Sequence, residues 1–174
     1  MREGGENASY SREFAFSKST GRPAVLNIKP NDSYTFEGAS LLVDGYHSRP
    51  VFTSGAWLGY LDEPLDVTID MGGEQSYRSV ELETLAEKGD WIFPPSSVTV
   101  WVSDNGTDFT EVASVAVPEA KAGDADGIGR YRMQFPETSA RYLKVVAQNA
   151  AAIPAWHPGA GSKGFLFVDE VVVE

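Results

Sequence analysis

The chain has 174 residues, the size of one domain by the usual range of roughly 100–200 residues. It carries 14 Lys and Arg against 25 Asp and Glu, so its formal net charge is −11. A chain this acidic repels phosphate backbones and anionic lipid, which argues against nucleic-acid or membrane-surface partners. Because it contains no cysteine, disulfide scaffolds, thiolate zinc sites and cysteine nucleophiles are excluded. No apolar run approaches the roughly 20 residues of a membrane-spanning helix, so we expect no membrane insertion.

The first twenty positions are polar and rich in Ser, Gly, Asn and Glu. We interpret residues 1–20 as a leader or linker with room for one short strand, and residues 21–174 as a single domain. The stretch from Met1 to Ser17 has no apolar core of a signal peptide.

From residue 24 onward, short segments alternate apolar and polar residues, a period typical of half-buried β-strands. The pattern predicts strands at residues 24–28, 65–71, 79–86, 98–102, 109–115, 128–135, 142–147 and 165–173. Asp104-Asn105-Gly106 is a hairpin turn signal between two of them. No window longer than about ten residues holds a helical stripe. The sequence therefore predicts an all-β sandwich or barrel of about eight main strands with very little helix.

Polar loops are predicted at residues 29–64, 87–97, 117–127 and 148–164. Loops at the ends of a sandwich are where ligands usually bind. Trp91 and Trp156 fall in these loops, and flat exposed aromatics stack on the apolar face of a sugar ring. Prolines on both sides of Trp156-His157 favour a rigid, binding aromatic over a core residue. Trp57 is interpreted as a core residue near the start of a strand.

The last strand contains adjacent carboxylates, Asp169 and Glu170, which point to opposite faces of a regular strand. At least one of them must then face the apolar side or the sheet edge, where it needs a cation, an arginine or backbone N–H donors. Asp44 and Ser48 supply oxygens in an earlier loop, so Asp44, Ser48 and Glu170 are a candidate calcium site. The alternative is a simple turn in which Asp44 caps its own backbone.

Catalysis receives little support, because His47 and His157 are the only histidines and no nucleophile elbow or metalloprotease motif is present. Composition leaves a glycosidase carboxylate pair open. However, Glu81, Glu83 and Asp66 alternate as expected for a solvated strand face.

A series of motifs in chain order resembles discoidin-like domains, also called coagulation-factor type C domains, and the related family 32 carbohydrate-binding modules. The motifs are Leu42-Val-Asp-Gly45, Trp57, Leu65-Asp-Val-Thr-Ile-Asp-Met-Gly72, Pro95 to Val102, Ser103-Asp-Asn-Gly106, Ala140-Arg-Tyr-Leu-Lys-Val145 and Asp169-Glu-Val171. This resemblance covers roughly residues 20–174 and implies a jelly-roll sandwich of the galactose-binding-domain type. It also implies one structural calcium ion, with Asp44 and Glu170 matching the family's ligands. The loop departs from the family pattern after Gly45, where Ser48 falls one place early.

The details look most similar to the domains at the C-terminal end of bacterial family 20 β-hexosaminidases, the chitobiase-like enzymes. Trp91-Ile-Phe-Pro94, Pro154-Ala-Trp-His157 and Phe165-Leu-Phe-Val-Asp-Glu170 carry that likeness. It implies a non-catalytic module of an exported parent enzyme, located outside the cell, on its surface or in the periplasm, and linked to a catalytic glycosidase domain.

We therefore expect a carbohydrate-binding module for N-acetylhexosamine or galactose-type sugars. In this hypothesis Trp156 or Trp91 stacks on a pyranose, while His157, Asn149 and Arg49 form hydrogen bonds with its hydroxyls. A structural spacer that packs on the catalytic domain without binding glycan is the alternative, and a small glycosidase is a third interpretation.

Overall fold

The computed structural model describes residues 13–174, which form an antiparallel β-sandwich. Its strands are β1 (Glu13–Phe14), β2 (Ala24–Leu26), β3 (Tyr46–His47), β4 (Leu58–Leu61), β5 (Leu65–Ala86), β6 (Ser97–Ser103), β7 (Thr110–Ala116), β8 (Gly127–Gln148) and β9 (Phe165–Val173). The helical segments among these residues are short 3₁₀ turns at Asp32–Tyr34, Gly38–Val43, Phe52–Ser54 and Lys88–Asp90. The predicted all-β fold with very little helix is confirmed.

Two long strands, β5 and β8, run through both layers of the sandwich. The first part of β5, residues 65–70, pairs with residues 142–147 of β8, and its second part, residues 79–86, pairs with residues 127–134. The ladder shifts register between Asp70 and Gln75. Where the structure has the single strand β5, the sequence predicted two strands, 65–71 and 79–86, because the Gly72-Gly73 pair was interpreted as the end of the first. The chain bends there instead and continues as β-structure.

The pairing order defines the two layers. One layer places β2, the first part of β5, the second part of β8, β6 and β7 side by side. The other places β4, β9, the second part of β5 and the first part of β8 side by side. The inward-facing residues of both layers form one large hydrophobic core, because alternate residues of each strand point to the same side.

Residues 29–64 were predicted as a long polar loop, and this prediction is wrong for much of their length. Leu41, Leu42 and Val43 lie in a 3₁₀ segment and are buried in the main core. Trp57 is fully buried, as predicted, in a second cluster with Leu85 and other apolar residues. Short 3₁₀ turns have no extended hydrophobic period, so the alternation of the sequence could not reveal them.

Residues 13–20 of the predicted leader pack against the sandwich. Strand β1 pairs with β3, the backbone N–H of Lys18 donates to the carbonyl of Val173 at 2.9 Å, and the Ser19 hydroxyl donates to the carbonyl of Val171 at 2.6 Å. The remainder of the predicted leader, residues 1–12, lies outside the described residues. The proposed boundary at residue 20 stays a prediction.

Three connections meet at one end of the sandwich, because the strands that they join begin or end there. They are residues 87–96, 117–126 and 149–164, and we call this region the loop end. Of the helical segments formed by residues 13–174, none has the length and apolar character to cross a membrane.

Candidate functional site

Trp91 lies at the loop end and keeps 42% of its surface exposed. It follows the 3₁₀ turn Lys88–Asp90 in the left-handed conformation, with φ at 64°. Its N–H donates to the Lys88 carbonyl at 3.0 Å, and its carbonyl accepts from the N–H of Phe165 at 2.8 Å. Both sides of its peptide backbone are therefore held while the ring stays accessible.

Trp156 keeps 39% of its surface exposed on a neighbouring loop. Its indole Nε1–H donates to the carbonyl of Ala120 at 2.9 Å. This bond ties two loops of the loop end together and fixes the ring through its polar edge. The sequence predicted both tryptophans in loops, where the structure has them, with Trp156 favoured as a binding aromatic and Trp91 left open between a binding and a core role.

His157 lies between the two tryptophans and is 8% exposed. Its ring meets Trp91 and Trp156 edge-on, with centroid distances of 6.0 and 5.5 Å. The N–H of Gly159 donates to Nδ1 at 3.0 Å, so Nδ1 is unprotonated, and Nε2–H donates to the Lys88 carbonyl at 2.9 Å. We expected His157 to bond sugar hydroxyls. That expectation is corrected here, because both ring nitrogens are already bonded inside the protein.

We call Trp91, Trp156, His157 and the buried Phe93 the aromatic cluster. A Cβ atom placed on Gly159 would lie 2.8 Å from the Trp91 ring, so only glycine leaves room for that ring.

Lys88 supports the aromatic cluster, and the sequence analysis did not identify it. It is the buried first residue of the turn that precedes Trp91. Its ammonium group pairs with the Asp126 carboxylate and donates to the Asp124 carbonyl at 2.8 Å. The turn is thereby fastened to the β7–β8 loop. The lysine lies in the polar segment Glu87-Lys-Gly-Asp90, and that composition carries no signal of burial.

Asn149 and Arg49 are placed differently from the two tryptophans. The Asn149 amide group donates to the carbonyls of Tyr60 and Gly164 at 3.0 and 3.1 Å, which holds the β8–β9 loop to β4. Its Oδ1 is buried without a hydrogen-bond partner. Arg49 is exposed, and its carbonyl accepts from the buried Trp57 indole at 2.9 Å. The structure gives no sugar contact for either residue, so the sugar-binding roles of Asn149 and Arg49 stay predictions.

A cleft of about 390 Å³ opens beside Trp156. Residues 93–96, 117–120 and 150–155 line it, which places it on all three connections of the loop end. This volume falls within the range of about 300–1,000 Å³ that small-molecule sites occupy. The cleft shares Phe93 with the aromatic cluster and is lined by Ala155 and Ala120, the chain neighbour and the indole partner of Trp156, so we treat the cluster and the cleft together as the candidate binding face.

A second feature of the fold is a group of buried carboxylates on β5 and β9. Glu83, Asp169 and Glu170 are each only 1% exposed. Glu83 was predicted on a solvated strand face, and this is wrong, because the segment that contains His47 covers it. Its Oε2 pairs with His47 Nδ1 and with Arg130 Nε, each at 2.9 Å, while its Oε1 has no hydrogen-bond partner.

Burial raises the pKa of both carboxyls on the last strand. The pKa of Asp169 rises to about 8, although the N–H of Ser48 donates to its Oδ2 at 2.7 Å. The pKa of Glu170 rises to about 9, through burial first and the nearby Asp44 carboxylate second. The sequence predicted these two carboxyls on opposite faces of a regular strand. In the structure both are buried, and N–H groups of the same covering segment, those of Gly45 and Ser48, donate to them where the β5–β9 ladder shifts register.

The predicted calcium ligands are partly brought together. Asp44 lies close enough to raise the pKa of Glu170, and the adjacent Gly45 N–H donates to Glu170 Oε2 at 3.2 Å. Ser48 instead bonds Asp169, and its hydroxyl donates to the Ala56 carbonyl at 3.3 Å. Among residues 13–174, no group of three or more His, Cys, Asp or Glu side chains is arranged to hold a metal ion. Glu170 Oε1 is buried without a hydrogen-bond partner.

Comparison with known proteins gives a family match and a set of similar folds. The model of a family described as the F5/8 type C domain matches residues 27–163, which is more than half of the chain. No curated protein sequence matches the chain.

Three solved structures illustrate the similarity of fold. Chitosan-binding module 1 of a chitosanase/glucanase from Paenibacillus sp. IK-5 is 17% identical with a TM-score of 0.58, over 92% of this chain and 99% of that one. CpGH89CBM32-5 from Clostridium perfringens, solved with GalNAc-β-1,3-galactose, is 16% identical with a TM-score of 0.56, over 87% and 93% of the two chains. A Ruminococcus gnavus GH29 fucosidase, solved with fucose, is 11% identical with a TM-score of 0.57, over 91% of this chain but 26% of the enzyme.

Proposed function

Because this chain belongs to the F5/8 type C domain family, we propose that it is a non-catalytic carbohydrate-binding module that binds a sugar on the aromatic cluster. The observation that carries the proposal is the pair of half-exposed tryptophans, Trp91 and Trp156, fixed on either side of the buried His157. An indole face held in advance binds the apolar face of a pyranose at low entropic cost.

The similar solved modules support this choice of ligand class. One is a chitosan-binding module and another was solved with GalNAc-β-1,3-galactose, and these ligands are hexosamine and galactose sugars. We propose N-acetylhexosamine or galactose-type sugars for this chain as well. The open tryptophan face predicts weak binding, at the millimolar end of the affinity scale, about −4 kcal/mol.

The module is proposed to serve a longer, exported enzyme. Its match to about a quarter of the R. gnavus fucosidase supports a domain that accompanies a catalytic glycosidase domain. The segments around Trp91, Trp156 and Phe165 favour a bacterial family 20 β-N-acetylhexosaminidase as the parent, with an extracellular, cell-surface or periplasmic location. Weak sugar binding is useful in such a chain, because it raises the effective substrate concentration at the catalytic domain.

A glycan array tests the proposal, because it samples many sugars at once. Wild-type protein is expected to retain N-acetylhexosamine or galactose glycans, and Trp156→Ala is expected to lose them. The matched control is Trp101→Ala, which removes a half-buried tryptophan from β6, outside the loop end. A folded wild-type protein that retains no glycan contradicts the proposal.

The second candidate function is a structural spacer that covers the aromatic cluster with a neighbouring domain. The observation that favours it is that both tryptophans are more than half buried already, and a partner surface could complete that burial. The two functions predict different acrylamide quenching of tryptophan fluorescence in the isolated domain. A sugar site keeps the tryptophans of the isolated domain accessible to acrylamide and protected by sugar, whereas a spacer shows no protection by any glycan.

We also propose one structural calcium ion between the loop at Asp44 and strand β9. The unpaired, buried Glu170 Oε1 and the adjacent Asp44 carboxylate fit a cation, because buried carboxylates need a compensating charge. Asp44 and Glu170 would hold it, together with Ser48 and with backbone carbonyl oxygens of the same loop. Calcium readily takes such carbonyl ligands. The bound ion would supply charge compensation and a crosslink between the two segments.

A further inference from the structure

The cleft beside Trp156 is larger than one stacking interaction requires. Its volume of about 390 Å³ is formed by three separate loop segments, one from each connection of the loop end. Ala120 lines this cleft, and its carbonyl accepts the hydrogen bond from the Trp156 indole N–H. A sugar stacked on Trp156 would therefore have its neighbouring unit within reach of the cleft.

The walls of the cleft combine apolar surface with a single charge. Apart from Ser96 and Glu119, every lining residue is Ala, Pro, Val, Ile or Phe. The Ser96 hydroxyl donates to the Asn149 carbonyl at 3.1 Å, which leaves its oxygen as an acceptor. Small apolar walls suit the C–H face of a pyranose, and the lone carboxylate sets the sign of charge that the cleft tolerates.

The other charges near the cleft largely cancel in opposite-sign pairs, so the sign of its charge is set by Glu119 and by the net charge of the chain. Besides Glu119, the β7–β8 loop carries Lys121, Asp124 and Asp126, and Asp126 is already paired with Lys88. On the opposite side, Lys163 donates to the Ala151 carbonyl, but its charge is matched by Asp62 at 2.6 Å. The whole chain adds a net charge of −11. The cleft is thus electrostatically suited to a cation and unsuited to a uronic or sialic acid.

We infer that the cleft is a second sugar subsite that takes a hexosamine unit with a free, protonated amine, its ring on the apolar walls and its ammonium group near Glu119. The inference rests on the proposed function. It deepens that function by assigning the ligand as an oligosaccharide of at least two units with a free amine on the unit beside the stacked one.

Calorimetric titration of matched disaccharides tests this inference. Chitobiose in its N-acetylated and its fully deacetylated form share one carbohydrate skeleton and differ in charge. In mildly acidic buffer of low ionic strength, we expect the deacetylated form to bind about threefold to fivefold more tightly, the range of an exposed ion pair. Added salt should reduce that preference, because it screens exposed charges.

Two variants assign the preference to the cleft. Glu119→Gln keeps the side-chain shape and is expected to remove the preference for the free amine. Glu111→Gln removes an exposed carboxylate of β7 outside the cleft lining and should leave the preference unchanged. Ala151→Trp fills the cleft from an exposed position and should reduce disaccharide affinity to that of a monosaccharide.

Equal binding of the two disaccharides, or an unchanged preference in Glu119→Gln, would overturn the second subsite while leaving sugar stacking on Trp156 intact. Tighter binding of the N-acetylated form would likewise overturn the assignment of a cationic unit. Absence of binding to any sugar, including monosaccharides, would overturn the proposed function and with it the second subsite.

Discussion

An aromatic side chain that meets a ligand must stay partly exposed while its orientation is fixed. Trp91 achieves this through its backbone bonds on a tight turn, and Trp156 through its indole N–H. Flanking prolines and a position in a loop led the sequence analysis to favour Trp156 as a binding aromatic. His157 could not be assigned correctly in the same way, because the partners of its two nitrogens, Lys88 and Gly159, are set by tertiary packing.

His157→Ala should lower the free energy of unfolding by about 1–3 kcal/mol, because it leaves the buried Gly159 N–H without a partner and the Lys88 carbonyl with only the Trp91 N–H. Urea denaturation followed by tryptophan fluorescence measures this change. Lys121→Ala, an exposed substitution on the neighbouring loop, is the control and should stay within about 0.5 kcal/mol of wild type. An unchanged urea midpoint for His157→Ala would mean that the ring is not bonded as described.

At the scale of elements, alternation predicted the positions of the central strands but not their continuity. Strand β9 was predicted with the bounds that the structure has. Strand β5 was predicted as two strands, because Gly72-Gly73 is typical of a turn, whereas in the structure the strand continues through this pair although the ladder is interrupted between Asp70 and Gln75. Glu83 follows the alternation of a solvated face, yet a distant segment covers it. Period-two patterns report which residues share a face, and coverage of that face by another segment is a tertiary property.

The bend in β5 depends on Asp70. Its carboxylate accepts from the Gly72 N–H at 2.9 Å and forms two bonds with Arg141, at 3.0 Å to Nε and 2.8 Å to Nη2. The hydrogen bonds from Arg141 and Gly72 lower the pKa of Asp70 to about 2 from its ordinary value of 3.8. A lowered pKa contributes stability above the unfolded value, and this contribution is lost as the pH falls through the folded value.

Asp70→Asn is therefore expected to lower the urea midpoint at neutral pH. The gap to wild type should narrow as the pH is lowered from about 5 towards about 2, because the wild-type carboxyl then becomes protonated as well. Glu74→Gln, at an exposed carboxyl on the same bend, serves as the matched control. A gap of constant size over this pH range would show that the charge of Asp70 does not stabilise the bend.

The calcium proposal also belongs to this scale, because the ion would join the Asp44 loop to β9. A chelator is expected to lower the melting temperature, and calcium should restore it, since a ligand that binds only the folded state stabilises that state. Glu170→Gln should lose the calcium response. Its control is Glu174→Gln, at the exposed chain terminus paired with Arg132, which should retain the response. A melting temperature that is insensitive to chelator and calcium contradicts the site.

At the scale of the whole molecule, the fold brings the binding face together from segments far apart in sequence. Residues 87–96, 117–126 and 149–164 meet because β5, β7 and β8 all reach the same end of the sandwich. The sequence predicted each segment as a polar loop, and the pairing of the strands brings the three loops to one surface. The cleft between them could not be predicted, because its walls are alanines and prolines that carry no motif. The net charge of −11 disfavours anionic ligands relative to neutral or cationic ones.

The most direct test of the account is calorimetric titration of N-acetylglucosamine and galactose oligosaccharides into wild type, Trp156→Ala and Trp156→Phe. We predict saturable binding to wild type at the millimolar end of the affinity scale, about −4 kcal/mol. Binding should be lost in Trp156→Ala and partly retained in Trp156→Phe, because phenylalanine keeps a stacking ring. Equal affinities for wild type and Trp156→Ala, or no heat of binding to a folded wild-type protein, would contradict the assignment of the aromatic cluster as a sugar site.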